Sequence, residues 1–238
     1  MSAARPLEIV ESCHERSDRP LRKKGDFSSE AVSRLAAFAI PLYYAKRASL
    51  FAEGEPSRGI FILNAGRVKL STISADGKCV ILRFADPGEI LGLAGTLSGQ
   101  PYEAWAEAIQ PTQAGFVGRE NLVHLMRHHG EIAVQLAMRL GESYCSAVAG
   151  VRVMGQSRTA NQKLATFLLD WCKSNSPFHD EAGARLTLTH EEIGQVIGLS
   201  RETVTRVLTG FRKKRLIMWT GGDLVLTDRG ALQSSLGS

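Results

Sequence analysis

The stretch Thr189-His190-Glu191-Glu192-Ile193-Gly194-Gln195-Val196-Ile197-Gly198-Leu199-Ser200-Arg201-Glu202-Thr203-Val204-Thr205-Arg206 decides how this chain is read. Thr189 and Glu192 stand at capping-box spacing, where the threonine oxygen accepts from the Glu192 N–H and the carboxylate reaches back. A short helix follows, with Ile193 and Ile197 turned inward. Gly198 falls where that helix must stop, a position favouring a residue free to adopt positive φ. Leu199 plugs the angle, and Ser200 caps a second helix running from Arg201 to about Lys213. Val204, Leu208 and Phe211 form its buried face. Arg201, Glu202, Thr205 and Arg206 remain on the outward side of its first two turns. A helix lying in the major groove of double-stranded DNA presents those turns to the base edges. Arginine grips guanine O6 and N7 with two bonds, and glutamate accepts from cytosine N4. Ser200 and Thr203 are placed to touch phosphate beside the N–H groups of the helix start, and Thr189 is counted with the DNA-contacting residues.

Downstream, Arg212-Lys213-Lys214-Arg215 adds positive charge. Leu216 to Thr220 and Asp223 to Thr227 then read as two strands joined by Gly221-Gly222, a wing hairpin. The plain alternative is a helical hairpin with a solvated charged face. Capping, glycine turn, plug and wing would then agree by accident.

Upstream lie a polar loop, Asn175 to Ala184, and a helical stripe of Ala160, Leu164, Phe167, Leu168 and Trp171. Gly155 separates this C-terminal domain from a longer helix. There Leu136, Leu140, Tyr144, Ala147, Val151 and Met154 recur at spacings of three and four, without proline. The functional reading is a homodimer seam resembling a coiled coil; the plain one is burial against the helix's own domain.

Before Arg119 the pattern is that of strands. Ile60 to Leu63 is an apolar run, and Val68, Leu70 and Thr72 alternate with polar neighbours. Val80, Leu82 and Phe84 alternate likewise after the hairpin signal Asp76-Gly77. Turns at Pro87-Gly88 and Ser98-Gly99 precede strands near Ala104 to Ile109 and Ala114 to Val117. Such close-set strands indicate a small antiparallel roll. Ahead of it, Val32, Leu35 and Phe38 suggest a short helix from Ser28 to Ala39. The fold class is α+β: an N-terminal antiparallel β-roll, a long dimerisation helix and a C-terminal winged helix-turn-helix. The expected domains are a flexible tail (1–25), a sensor roll (26–119), the dimer helix and hinge (120–155) and the DNA-binding domain (156–238).

At 238 residues two domains are expected rather than one. The net charge of +5 is compatible with nucleic-acid binding without establishing it. No apolar run is long enough for a membrane helix. Met1 to Gly25 mixes acids and bases and does not read as a secretion signal. Cys13, Cys79, Cys145 and Cys172 lie far apart with no CxxC pair, so neither a disulfide framework nor a metal site is expected, and the cytoplasm is the default location.

From Glu192 to Arg206 the sequence closely resembles the CRP/FNR family of bacterial transcription regulators. The resemblance extends from about Leu50 to Thr227. It takes in Asn64-Ala65-Gly66-Arg67-Val68, Asp86-Pro87-Gly88-Glu89 and Ser157-Arg158-Thr159-Ala160-Asn161-Gln162-Lys163-Leu164-Ala165. It implies a cyclic-nucleotide-binding-type jelly roll, a long dimer helix and a winged helix-turn-helix that binds a palindrome as a homodimer. It further implies that Arg201, Glu202 and Arg206 read bases in half-sites near TGTGA, that RNA polymerase is a partner, and that the joint near Gly155 reorients the reading domains.

The effector is a separate question. The family's pocket uses a Gly-Glu pair for the ribose and an Arg-Ser or Arg-Thr pair for the phosphate. Here Gly92 is followed by Leu93, and the phosphate segment reads Tyr102-Glu103-Ala104-Trp105. An acid there repels phosphate and Leu93 offers no hydrogen bond, so cyclic AMP is not expected in the usual way. An iron–sulfur cluster takes four cysteines, and only Cys13 lies near the N-terminus, so that cofactor is not expected either. Cys145 is a redox candidate whose simpler reading is a small packed thiol. His128 and His129 are candidates for a haem or metal ligand, but adjacent helical residues point different ways and rarely share an ion, so a solvated helix end is the simpler reading.

An enzyme is not expected, since GxSxG, P-loop and HExxH patterns are all missing. The remaining alternative, a non-transcriptional ligand-binding regulatory protein carrying the same roll, gives no role to the second domain.

Overall fold

The structure, a computed structural model, describes residues 34–154, 159–174, 185–221 and 223–234. The expected tail, the joint at Gly155 and the 175–184 loop therefore lie outside the described residues. The chain divides into two compact units, broadly before and after residue 150.

The first unit is a roll of two antiparallel four-stranded sheets. β1 (Ile40–Tyr44), β8 (Thr112–Gly118), β3 (Gly59–Ala65) and β6 (Ile90–Leu91) make one, in that order. The other runs β2 (Ser49–Phe51), β7 (Trp105–Ala108), β4 (Val68–Ile73), β5 (Cys79–Ala85). Side chains alternate across a strand, so each sheet has two faces to satisfy. Phe51, Phe61, Leu63, Leu70, Leu91 and Tyr102 belong to the core cluster of the roll. Ile60 and Val117 instead join a second cluster with Leu122, Leu125, Ile132 and Leu136 from the following helices. Strand β3 is thus covered on both faces, which is why Ile60 to Leu63 reads as a continuous apolar run.

The two loop motifs quoted for the roll meet in space. Arg67 Nε donates to Asp86 Oδ1 at 2.7 Å, and the Asp86 N–H donates to Glu89 Oε1 at 3.0 Å. Gly66 has φ 90°, and a Cβ there would stand 2.4 Å from Thr112 Oγ1, so no other residue fits without rearrangement.

Several expectations are corrected here. In β5 the buried side chains are Ile81 and Ala85, whereas Leu82 is 50% exposed; the register is one residue from the expected Val80, Leu82, Phe84 face. The turn at Ser98-Gly99 closes a short helix not expected from the sequence, α1 (Leu93–Ser98), with Gly99 in the left-handed region. Helical residues 34–37 place Leu35 in the helical cluster, but Phe38 lies beyond the helix and is exposed.

Helices α2 (Arg119–His128) and α3 (Gly130–Met154) follow the roll. The second unit opens with α4 (Ala160–Ser174), where Thr159 N–H donates to Gln162 Oε1 and Gln162 N–H returns to Thr159 Oγ1. Then come β9 (Arg185–Leu186), α5 (His190–Ile197), α6 (Arg201–Lys213), β10 (Ile217–Thr220), β11 (Asp223–Leu226) and α7 (Arg229–Ser234). Thr220 pairs with Asp223 across the wing turn, where Gly221 has φ 62°, and β9 adds a third strand to β11. Among the described residues no helix is long and apolar enough to cross a membrane.

Candidate nucleic-acid interface

The site is built on α5 and α6. Thr189 caps α5 with both halves of the capping box made: Glu192 N–H donates to Thr189 Oγ1 at 3.2 Å, and Thr189 N–H donates to Glu192 Oε2 at 2.8 Å. The Thr189 hydroxyl also donates to Glu192 Oε2 at 2.9 Å. Its single proton is thereby committed, which makes Thr189 a cap before it is a phosphate donor. Thr189→Ala should lower the stability of the C-terminal unit by about 1 kcal/mol, read from its thermal transition.

Gly198 ends α5 with φ 68°, and its N–H donates to the Gly194 carbonyl. Ser200 then caps α6, its Oγ accepting from the Thr203 N–H at 3.2 Å and lying 3.1 Å from the Thr203 hydroxyl. Val204, Val207, Leu208 and Phe211 are buried beneath α6. Arg201, Glu202, Thr205 and Arg206 are exposed together on its first two turns. The Glu202 carboxylate is held below the usual carboxylate range by its own backbone N–H, the Ser200 hydroxyl and the neighbouring Arg201 charge. As an ionised carboxylate it can accept hydrogen bonds but not donate them.

Two residues in this site were not singled out from sequence. His190 Nδ1 lies 2.9 Å from Thr205 Oγ1, and its ring stands 5.6 Å from that of Trp219 on β10. Gly194 is buried, and a Cβ on it would lie 2.5 Å from the Leu199 carbonyl oxygen. A glycine inside an amphipathic helix is itself a hint of close backbone approach. Nothing in the linear pattern points to the histidine, whose partner is 15 residues away.

The cyclic nucleotide-binding domain model matches residues 41–129, and the Crp-like helix-turn-helix domain model matches residues 162–235. The chain belongs to the CRP/FNR family of bacterial transcription regulators. It is 29% identical over 180 residues to the transcriptional activator protein anr of Pseudomonas aeruginosa, covering 75% of this chain and 73% of that one. It is 29% identical over 190 residues to the cAMP-activated global transcriptional regulator CRP of Pasteurella multocida, covering 77% and 88%. The solved structure of FixK2 from Bradyrhizobium japonicum superposes with a TM-score of 0.72 at 26% identity, covering 82% of this chain and 96% of that one.

In this CRP/FNR regulator the expected effector residues do not form one pocket. Tyr102 is buried, stacks on Phe51 at 4.1 Å and donates its hydroxyl to the Gly59 carbonyl at 2.7 Å. Burial raises its pKa, so it remains a neutral donor. Gly92 lies against it, and a Cβ there would stand 2.6 Å from the tyrosine ring. Leu93 belongs instead to the helical cluster, and Glu103 is exposed. At this point of the roll the Tyr102 ring packs among those of Phe51 and Phe61.

The expected seam residues also divide. Leu136 is fully buried in its own domain and Leu140 packs partly against the same cluster, so Leu136 is not available to a partner. The plain reading holds for this end of α3, where the helix lies on the roll. Beyond Leu140 that support ends: residues 141–147 are exposed, Tyr144 at 71%. Ala147 is among them, while the side chains of Val151 and Met154 lie outside the described set. Cys145 is exposed too in the single chain. A second exposed line runs through Val134 and Met138 to Gly141 and Cys145, at spacings of four, three and four.

His128 Nδ1 lies 2.8 Å from the His124 carbonyl and His129 Nε2 lies 3.1 Å from Arg34, so the adjacent histidines have separate partners. Among the described residues no group of three or more His, Cys, Asp and Glu is placed to hold a metal ion.

Proposed function

We propose that this regulator binds a palindromic operator as a homodimer in the cytoplasm, with TGTGA-like half-sites read by Arg201, Glu202 and Arg206. The observation that carries the reading is the capped α6, whose exposed first two turns hold all three charged groups over a fully apolar underside. Residues 120–155 serve as the dimer helix and 156–238 as the reading domain, with the 175–184 loop offered to RNA polymerase. The exposed line Val134, Met138, Gly141 and Cys145, with Tyr144 and Ala147 beside it, supports a seam displaced from the residues first expected.

A mobility-shift assay with operators selected from a random duplex library tests this. The expected result is selection of an inverted repeat, two protomers per duplex by light scattering, and affinity that falls with salt as counterions are released. A stable monomer at micromolar concentration, or no preference over scrambled duplex, overturns it.

The effector reading is that cyclic AMP is not the ligand of this roll. Tyr102 stacks on Phe51 beside Gly92, and no arginine stands in the segment from Tyr102 to Trp105. Calorimetry with millimolar cyclic AMP is expected to show no saturable heat, and operator affinity is expected to stay the same with and without it. Tight, saturable binding would refute the assignment.

A further inference from the structure

We propose that Thr205 reads the operator through its methyl group, selecting thymine by contact with the 5-methyl, and that His190 is the positioning residue that holds it in this role. The inference rests on α6 being the helix that enters the major groove. Thr205 is exposed beside Arg201, Glu202 and Arg206, and its residue type suggests a polar contact. The fold removes donation to a base as an option. Its Oγ1 donates to the Arg201 carbonyl at 2.9 Å and lies 2.9 Å from His190 Nδ1. A hydroxyl has one proton. If that proton goes to the Arg201 carbonyl, His190 donates from Nδ1; in the other tautomer the proton goes to His190 itself. Either way it stays within the protein, and Thr205 can donate nothing to guanine or to thymine O4.

A helical threonine divides between two rotamers because its hydroxyl can bond back to the preceding turn. A second partner in His190 favours the rotamer that turns Oγ1 inward. Cγ2 is then what the side chain offers outward. The thymine 5-methyl is the apolar mark of the major groove, and a threonine methyl is a known complement to it. His190 is itself braced by Trp219, so first helix, reading helix and wing converge on this one threonine.

The test uses the full-length protein and its library-selected operator, with each thymine replaced in turn by deoxyuridine, which removes only the methyl. One symmetry-related pair of thymines is expected at which each replacement weakens binding about fourfold. Thr205→Val, which keeps a methyl and lacks the hydroxyl, should retain that sensitivity. Thr205→Ser, which keeps the hydroxyl and lacks the methyl, should abolish it. His190→Ala should reduce it, and His190→Asn, with a donor at the same reach, should restore it. An operator with no methyl-sensitive thymine, or one whose sensitivity survives in Thr205→Ser, overturns the inference while the DNA-binding reading stands. Full sensitivity in His190→Ala removes the histidine from it. If no operator emerges, the DNA-binding reading fails and this inference with it.

Discussion

Replacing Arg206 with alanine is expected to weaken operator binding by roughly 1–3 kcal/mol, or about 5- to 150-fold, and to relax the preference at one guanine in each half-site. Arg206 sits on the second turn of α6, exposed, with Val207 and Leu208 beside it carrying the packing. Its loss therefore leaves the fold alone, and the effect is on recognition. Two measurements separate base reading from simple attraction. Random-library selection with the variant should lose information at one position. The salt dependence of binding should stay unchanged, whereas loss of a phosphate contact would lower the slope by about one. Arg206→Lys sharpens the distinction: it keeps the charge but lacks the planar fork that spans O6 and N7, so affinity should partly return and selectivity should not. A variant that selects the same operator as the wild type would remove Arg206 from the reading face.

The parts of this protein legible in its sequence are those whose cause is local. The α5–α6 turn was readable because Thr189, Glu192, Gly198 and Ser200 each satisfy or end a helix within a few residues of themselves, and all four do so in the structure. The wing was readable from Gly221, which takes the positive φ its turn needs. What could not be read depends on which surface covers an apolar side chain. Periodicity put Leu136 and Tyr144 on one stripe, yet one is enclosed by the roll and the other is solvent-facing, because the roll covers only the first part of α3. Leu93 was set in a pocket from its place after Gly92, but the helix starting there turns it toward Ile60 and Val117. Hydroxyl commitments were equally hidden. Thr189 and Thr205 suit phosphate or base contact by type, and only the positions of Glu192, Arg201 and His190 show where their protons go.

Gly194 and Gly210 lie in adjacent helices of the same unit, and alanine at the two positions is expected to act with opposite sign. Glycine inside a helix is less favourable than alanine by about 1 kcal/mol, so each substitution begins with that gain. At Gly210 nothing lies within 4 Å of the added methyl, and the gain should be kept, in part or whole. At Gly194 the methyl would stand 2.5 Å from the Leu199 carbonyl oxygen. That oxygen cannot retreat easily. Leu199 is tied by its N–H to the Gly194 carbonyl at 3.0 Å, and it is flanked by the left-handed Gly198 and the Ser200 cap. Overpacking of this kind costs up to about 3 kcal/mol, which outweighs the helical gain and leaves a net loss of about 2 kcal/mol. In a unit of this size, the thermal midpoint of the C-terminal transition should fall by roughly 10 °C. The N-terminal transition should stay in place, which calorimetry on the whole chain resolves. The loss should extend to DNA binding below the transition as well. The methyl can be accommodated only by opening the angle between α5 and α6, and that moves Arg201 and Arg206 away from the bases while leaving their charge intact. Gly194→Ala should therefore lose specific binding more than non-specific binding, and Gly210→Ala neither. A Gly194→Ala protein as stable and selective as the wild type would mean that the two helices do not approach through this glycine, and the docking of α6 would have to be redrawn.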